Sequence, residues 1–176
     1  MKLLERNPWA GLVFSCVLAI ALCSSAAAQE KIKISGKGTY AALQRMSLAF
    51  DDVEGRDVFI SEWEGVNWST GEHKFMDGAE VHYVTHGDYI KGNGPFWGYI
   101  KMIHNGDTAY SKFKGMAVTT LSPLGKPITT FEGEIEGVRG TGQYEGFQGR
   151  LTFKNKMISS AIMTSEWEGW YSIKKN

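Results

Sequence analysis

FEGEIEGVRGTGQYEGFQG, Phe131 to Gly149, decides the fold. Gly133, Gly137, Gly140, Gly142, Gly146 and Gly149 recur every two to four residues between β-formers, too regularly for a loop and too interrupted for disorder. The stretch reads as two strands joined by a glycine-built corner, because glycine lets a strand pair bend or bulge where a side chain would obstruct the curvature. Sheets that curve this hard close into barrels.

Working outward, nearly all the chain after residue 30 divides into β-rich segments. They are Lys31 to Tyr40, Val58 to Trp68, Glu80 to Lys91, Phe96 to His104, Thr108 to Leu121, Ile128 to Gly137, Gly149 to Ala161 and Met163 to Ile173. Asn105-Gly106-Asp107 is a tight-turn signal, and Ser122 to Lys126 holds Pro123 and Gly125. Ala41 to Phe50 is the one helix-compatible stretch, enough for a turn or two. Strands with short connections form an antiparallel meander, and closure removes its exposed edges. The expected fold is therefore all-β, a single antiparallel eight-stranded barrel over residues 29–176.

The corner also carries a family signature. Gly140-Thr141-Gly142-Gln143-Tyr144-Glu145-Gly146-Phe147-Gln148-Gly149 resembles the G-G-T-G-x-(Tyr/Phe)-x-G-x-x-G pattern of the allene oxide cyclase and dirigent barrels, with Arg139 in place of the first glycine. The resemblance is good over Pro127 to Lys154 and general elsewhere. It implies a calycin-type barrel, a homo-oligomer (commonly a trimer), and either a cofactor-free isomerase, cyclase or lyase or a non-catalytic dirigent-type binder.

Residues 1–28 read as an export signal. Lys2 and Arg6 precede an apolar run from Ala10 to Ala21, and Ser24 to Ala28 supply small residues for cleavage before Gln29. Both cysteines, Cys16 and Cys23, lie inside it, so the exported chain would hold no disulfide, thiolate metal site or cysteine nucleophile. A domain of roughly 150 residues without staples must rely on its core, and that length suffices for one domain. Of 19 basic and 19 acidic residues the signal removes Lys2, Arg6 and Glu5, leaving a net charge of minus one. That balance favours neither nucleic acid nor an anionic membrane as partner. The expected location is periplasmic or secreted, without stable membrane insertion after cleavage.

Turn positions predict the pairing. A hairpin centred on Leu124 puts Lys114 opposite Glu134 and Lys112 opposite Glu136, opposite charges that favour the register and an outward face. A tight turn over Asn105 to Asp107 then sets Tyr99 opposite Phe113 and Ile100 opposite Lys112. On that register Trp97, Tyr99, Lys101 and Phe113 share the interior with Trp63, Tyr83, Phe131, Trp167 and Tyr171, while Phe96, Ile100, Met102, Met116 and Val118 form an outer apolar strip suited to self-association. Aromatic walls with few polar groups suit a hydrophobic or aromatic small molecule. Lys101 and Tyr99 are the expected catalytic residues, with Lys101 as base or anionic-group anchor, and Trp63, Tyr83, Trp97, Phe113, Phe131, Trp167 and Tyr171 are the expected ligand contacts. No metal or organic cofactor is expected: His82 and His86 are four apart on a strand, roughly 13 Å, too far to share one ion. Glu62, Glu64, Glu132, Glu134, Glu166 and Glu168 alternate with aromatics and read as outer-face charges.

Overall fold

A computed structural model describes residues 29–174; the export signal expected over residues 1–28 lies outside them. The glycine-rich stretch is the join of two strands, β6 (Pro127–Gly140) and β7 (Phe147–Met157), through a single 3₁₀ turn at Gly142–Tyr144. Gly142 and Gly146 hold φ of 55° and 77°, left-handed values that side chains resist, and a Cβ on Gly142 would run into the Asp107 carboxylate. Gly142→Val should therefore destabilise the protein by more than about 1 kcal/mol. A denaturant melt with unchanged midpoint and slope would show the corner glycines to be incidental.

The remaining strands are β1 (Ile32–Ala49), β2 (Arg56–Ser69), β3 (Glu80–Ile90), β4 (Gly94–His104), β5 (Asp107–Leu121) and β8 (Ile162–Ile173). They pair antiparallel in chain order, and β1 closes the barrel against β8. The helix-compatible run from Ala41 to Phe50 is instead the second half of β1. A bulge between Ala42 and Gln44 carries it outward as a long hairpin with β2, where ladder pairing from Arg45↔Ser61 to Ala49↔Asp57 overrides helix propensity.

The β5–β6 register is the expected one: Lys114 faces Glu134, Lys112 faces Glu136, and the latter pair closes at 3.3 Å. The β4–β5 register differs by one residue. Asn105 and Gly106 both take positive φ, forming a two-residue hairpin turn that pairs His104 with Asp107. Tyr99 consequently faces Lys112, and Phe113 faces Gly98. Since strand side chains alternate, that slip reverses β4: Phe96, Gly98 and Ile100 point inward, and Trp97, Tyr99 and Lys101 point outward. Phe96, Ile100 and Met102 thus leave the expected outer strip and join the interior cluster.

Inside, aromatics lie over glycines directly across the ladder: Trp167 over Gly36, Phe59 over Gly87, Phe113 over Gly98, Phe96 over Gly115 and Phe153 over Gly133. Each ring occupies the space its partner's missing side chain vacates. Rings laid flat on the wall in this way leave the axis of a narrow barrel open.

One end is plugged. The β2–β3 connection folds back under the barrel and buries Phe75 and Met76, where Phe75 packs against Tyr144, Phe147, Trp167 and Tyr171. Asn67 fastens this plug. Its amide donates to the carbonyls of Phe75 and Met76 at 3.3 and 2.7 Å, and its Oδ1 accepts from Trp167 Nε1 at 2.9 Å. The other end, where the β1–β2, β3–β4, β5–β6 and β7–β8 hairpins turn, has no such cover among the described residues.

Candidate functional site

The barrel is a cup. A cavity of about 530 Å³ enters from the uncovered end. Arg45, Asp57, Tyr89, Gly92, Thr129, Met157 and Ser160 surround its mouth, and Ile100, Phe113, Ile135, Phe153 and Trp167 line its depth. Side-chain alternation on every strand produces this lining, since each wall residue stands two positions from the next inward one.

The walls are held by ring contacts. Trp63 stacks on Tyr83 at 5.9 Å and 2°, Tyr83 meets Tyr40 and Phe113 edge-on, and Phe59 meets Tyr89 edge-on. The Trp63 indole is fixed by a 3.0 Å bond from Nε1 to Ser61 Oγ. At the mouth the Arg45 guanidinium lies 3.5 Å above the Phe59 ring and is ion-paired with Asp57.

Polar groups in the cup are few and mostly uncharged. Burial pushes the Tyr40 hydroxyl up to about 12, partly opposed by Ser165 beside it. Burial likewise holds Tyr83 well above the ordinary tyrosine value and raises Tyr89. All three phenols stay protonated at neutral pH, able to donate hydrogen bonds but not to act as bases. Two lining groups, Tyr83 Oη and Asn155 Oδ1, are buried without a hydrogen-bond partner among the described residues. Orphaned buried polar atoms cost stability, and a ligand's polar groups are what would satisfy them.

Of the residues expected from sequence, the structure brings Trp63, Tyr83, Phe113, Phe131 and Trp167 together around the cavity. Tyr171 lies beneath it, 4.9 Å from Phe75 in the plug. Trp97, Tyr99 and Lys101 stand on the outer wall; Trp97 is half exposed and stacks on His86, and Tyr99 is two-thirds exposed. Lys101 therefore meets water and the β3 outer face, where it pairs with His82 in the ladder. His82 itself bonds Glu80 at 2.6 Å.

Sequence reasoning missed Tyr40, Arg45, Asp57, Phe59, Tyr89 and Asn155. Phe59 and Asp57 share strand parity with Trp63, which was signal enough to find them. Arg45 sat in the supposed helix, and no sequence signal marks the bulge that turns it toward the mouth.

No protein-family model and no curated protein matches this chain. Among solved structures, a pterocarpan synthase dirigent protein is similar at 10% sequence identity, over 83% of this chain and 92% of that one, with a TM-score of 0.48.

Proposed function

We propose that this protein is an exported binding barrel that encloses an apolar or aromatic small molecule and fixes its orientation. The observation that supports this most is the cup itself, about 530 Å³ of aromatic-walled space with the unpartnered Tyr83 Oη and Asn155 Oδ1 on its lining. A cavity of that size lies in the range of ordinary small-molecule sites. Export is supported by the sequence of residues 1–28.

Binding and orientation suit the lining better than acid–base turnover. Among the described residues it contains no lysine, histidine, glutamate or cysteine; apart from phenols its ionisable groups there are Arg45 and Asp57, and these neutralise each other at the mouth. A general base must lie within reach of the proton it removes, and Lys101 is on the wrong side of the wall. The isomerase or lyase reading has thus lost its expected base, and the dirigent-type alternative stands in front.

The test is occupancy. The fluorescent probe 1-anilinonaphthalene-8-sulfonate should bind the folded protein and quench Trp63 and Trp167 emission. Ser165→Phe, which places a ring in the lumen, should weaken that binding at least tenfold, about 1.4 kcal/mol, with the far-ultraviolet spectrum unchanged. Equal affinity in the variant would mean that the probe sits elsewhere and the cup is not the site.

The same reading includes self-association through the outer wall, where Ile60, Trp97, Tyr99 and Met116 are each about half exposed or more. Sedimentation at micromolar concentration should show a species heavier than the monomer, which Trp97→Glu removes. A monomer throughout would strike the oligomer from the proposal.

A further inference from the structure

The two ends of the barrel differ in the side chains their connections expose. At the plugged end the connections 70–79, 105–106 and 141–146 expose polar residues and glycine and bury Phe75, Met76 and Tyr144, and on the strand ends beside them Trp68 and Val138 are the exposed large apolar side chains. At the open end every hairpin exposes apolar ones. Met46, Leu48, Phe50 and Val53 stand on β1–β2, Ile90 on β3–β4, Leu121 and Leu124 on β5–β6, and Ile158 on β7–β8. Their exposure runs from 41% at Val53 to 85% at Leu124, and the hairpins that carry them also carry Arg45, Asp57, Gly92, Thr129, Met157 and Ser160 at or near the cavity mouth. Apolar side chains exposed singly need no explanation, but eight gathered at one end of the barrel, on all four of its hairpins, mark an interaction surface.

We infer that this rim docks on a neutral lipid surface, from which the cup takes, or to which it delivers, its apolar ligand. Three observations select a bilayer over a protein partner. The apolar side chains sit on four separate hairpins around a hole, a shape that a fluid interface accommodates more readily than a rigid complementary surface does. The charges behind the tips nearly cancel: Arg45 pairs with Asp57, Arg56 with Asp52 and Asp88, and Lys91 with Glu54, while Asp51 and Lys126, exposed on the hairpins, are opposite in sign. Pairing of that kind leaves no strong field of either sign to seek anionic lipid. Finally, the rim is continuous with an apolar cavity, so a ligand passing from acyl chains to the cup need not cross water. The docking idea rests on the cup reading for its purpose and on the rim for its support. It requires no insertion across the bilayer, only burial of the tips.

Vesicle co-sedimentation tests it, using the chain from Gln29, which contains every strand and the plug and lacks the apolar run of residues 10–21. Phosphatidylcholine vesicles should pellet this protein, with little change when salt is raised. The variant Phe50→Ser, Leu121→Ser, Leu124→Ser, Ile158→Ser, which removes the apolar tips without adding charge beside the mouth, should lose at least tenfold in vesicle affinity while keeping its near-ultraviolet spectrum and its affinity for the anionic anilinonaphthalene probe. Failure of the native rim to pellet, with probe binding intact, overturns the docking inference and leaves the cup reading in place. Equal pelleting by the variant overturns it too, by placing the contact on another face. A rim that instead drives concentration-dependent pairing of two copies and excludes vesicles assigns it to a second copy of this chain, which also overturns it.

Discussion

Replacing Asn67 with leucine should cost the barrel at least about 3 kcal/mol, the largest stability loss expected from a single side chain here. The two side chains share a branched shape, so the change removes the hydrogen bonds, and the greater bulk of leucine in a buried site can only add to the loss. Two partners are orphaned together, the carbonyl of Phe75 and the indole N–H of Trp167, and the Met76 carbonyl keeps only its bond from Ala79 N, all in a site where Asn67 is 1% exposed. An unsatisfied buried donor or acceptor costs about 1–3 kcal/mol, and a shared network compounds the loss. The plug should loosen before the wall does, because the backbone bonds from Asn67 N to Ala79 O and from Gly78 N to Asn67 O remain. Urea melts would therefore shift to a lower midpoint, and near-ultraviolet signals from Trp167 would weaken ahead of the far-ultraviolet ones. A shift of less than about 0.5 kcal/mol would mean that Asn67 is packed in the plug without holding it. Lys112→Ala provides the contrast: its pair with Glu136 is half exposed on both sides, and exposed pairs contribute at most about 1 kcal/mol.

The barrel was legible because its devices are local. Glycine spacing marked the β6–β7 corner, and the turn centred on Leu124 fixed β5 against β6 down to the bulge beside Ser111. Where a single residue decided the outcome, local reasoning was weaker. Asn105-Gly106 fits a two-residue hairpin as well as a longer turn, and the difference moved Trp97, Tyr99 and Lys101 from lumen to surface. Ala41 to Met46 is made of good helix formers, yet pairing with β2 satisfies its backbone and carries Arg45 to the mouth. The plug was illegible for another reason. Thr70 to Lys74 reads as a polar loop, and nothing local says that Phe75 and Met76 will be drawn under the barrel to close one end. Aromatic residues on β2, β3, β5, β6 and β8 were placed correctly because each strand's parity needs no knowledge of its neighbour's register.

Alkaline pH should unfold this protein, with most of the loss falling between about pH 10 and 12. Tyr40 is lifted to about 12 from the ordinary 10 because burial penalises its phenolate. The folded state thus prefers the neutral form, and the advantage is fully present below pH 10, then drains as the pH climbs through 12. Two units correspond to roughly 3 kcal/mol, since each is worth about 1.4. Tyr83 and Tyr89 are shifted in the same direction by the same cause, so their losses add to it. For a domain whose whole stability is about 5–15 kcal/mol, that is enough to bring the midpoint of unfolding into the alkaline range. Urea midpoints taken stepwise from neutral pH upward, alongside phenolate absorbance, would trace it: ionisation of the buried tyrosines should coincide with unfolding. The variant Tyr40→Phe, Tyr83→Phe should flatten the dependence, because neither ring then has a proton to lose. Tyr83 Oη has no partner to forfeit, so its share of that change is nearly neutral at pH 7 and removes only a polar contact offered to the ligand. Stability that stays level through pH 11, or that falls as steeply in the double variant as in the native chain, would show that the cup's phenols are open to water and that its interior is wetter than the ring packing implies.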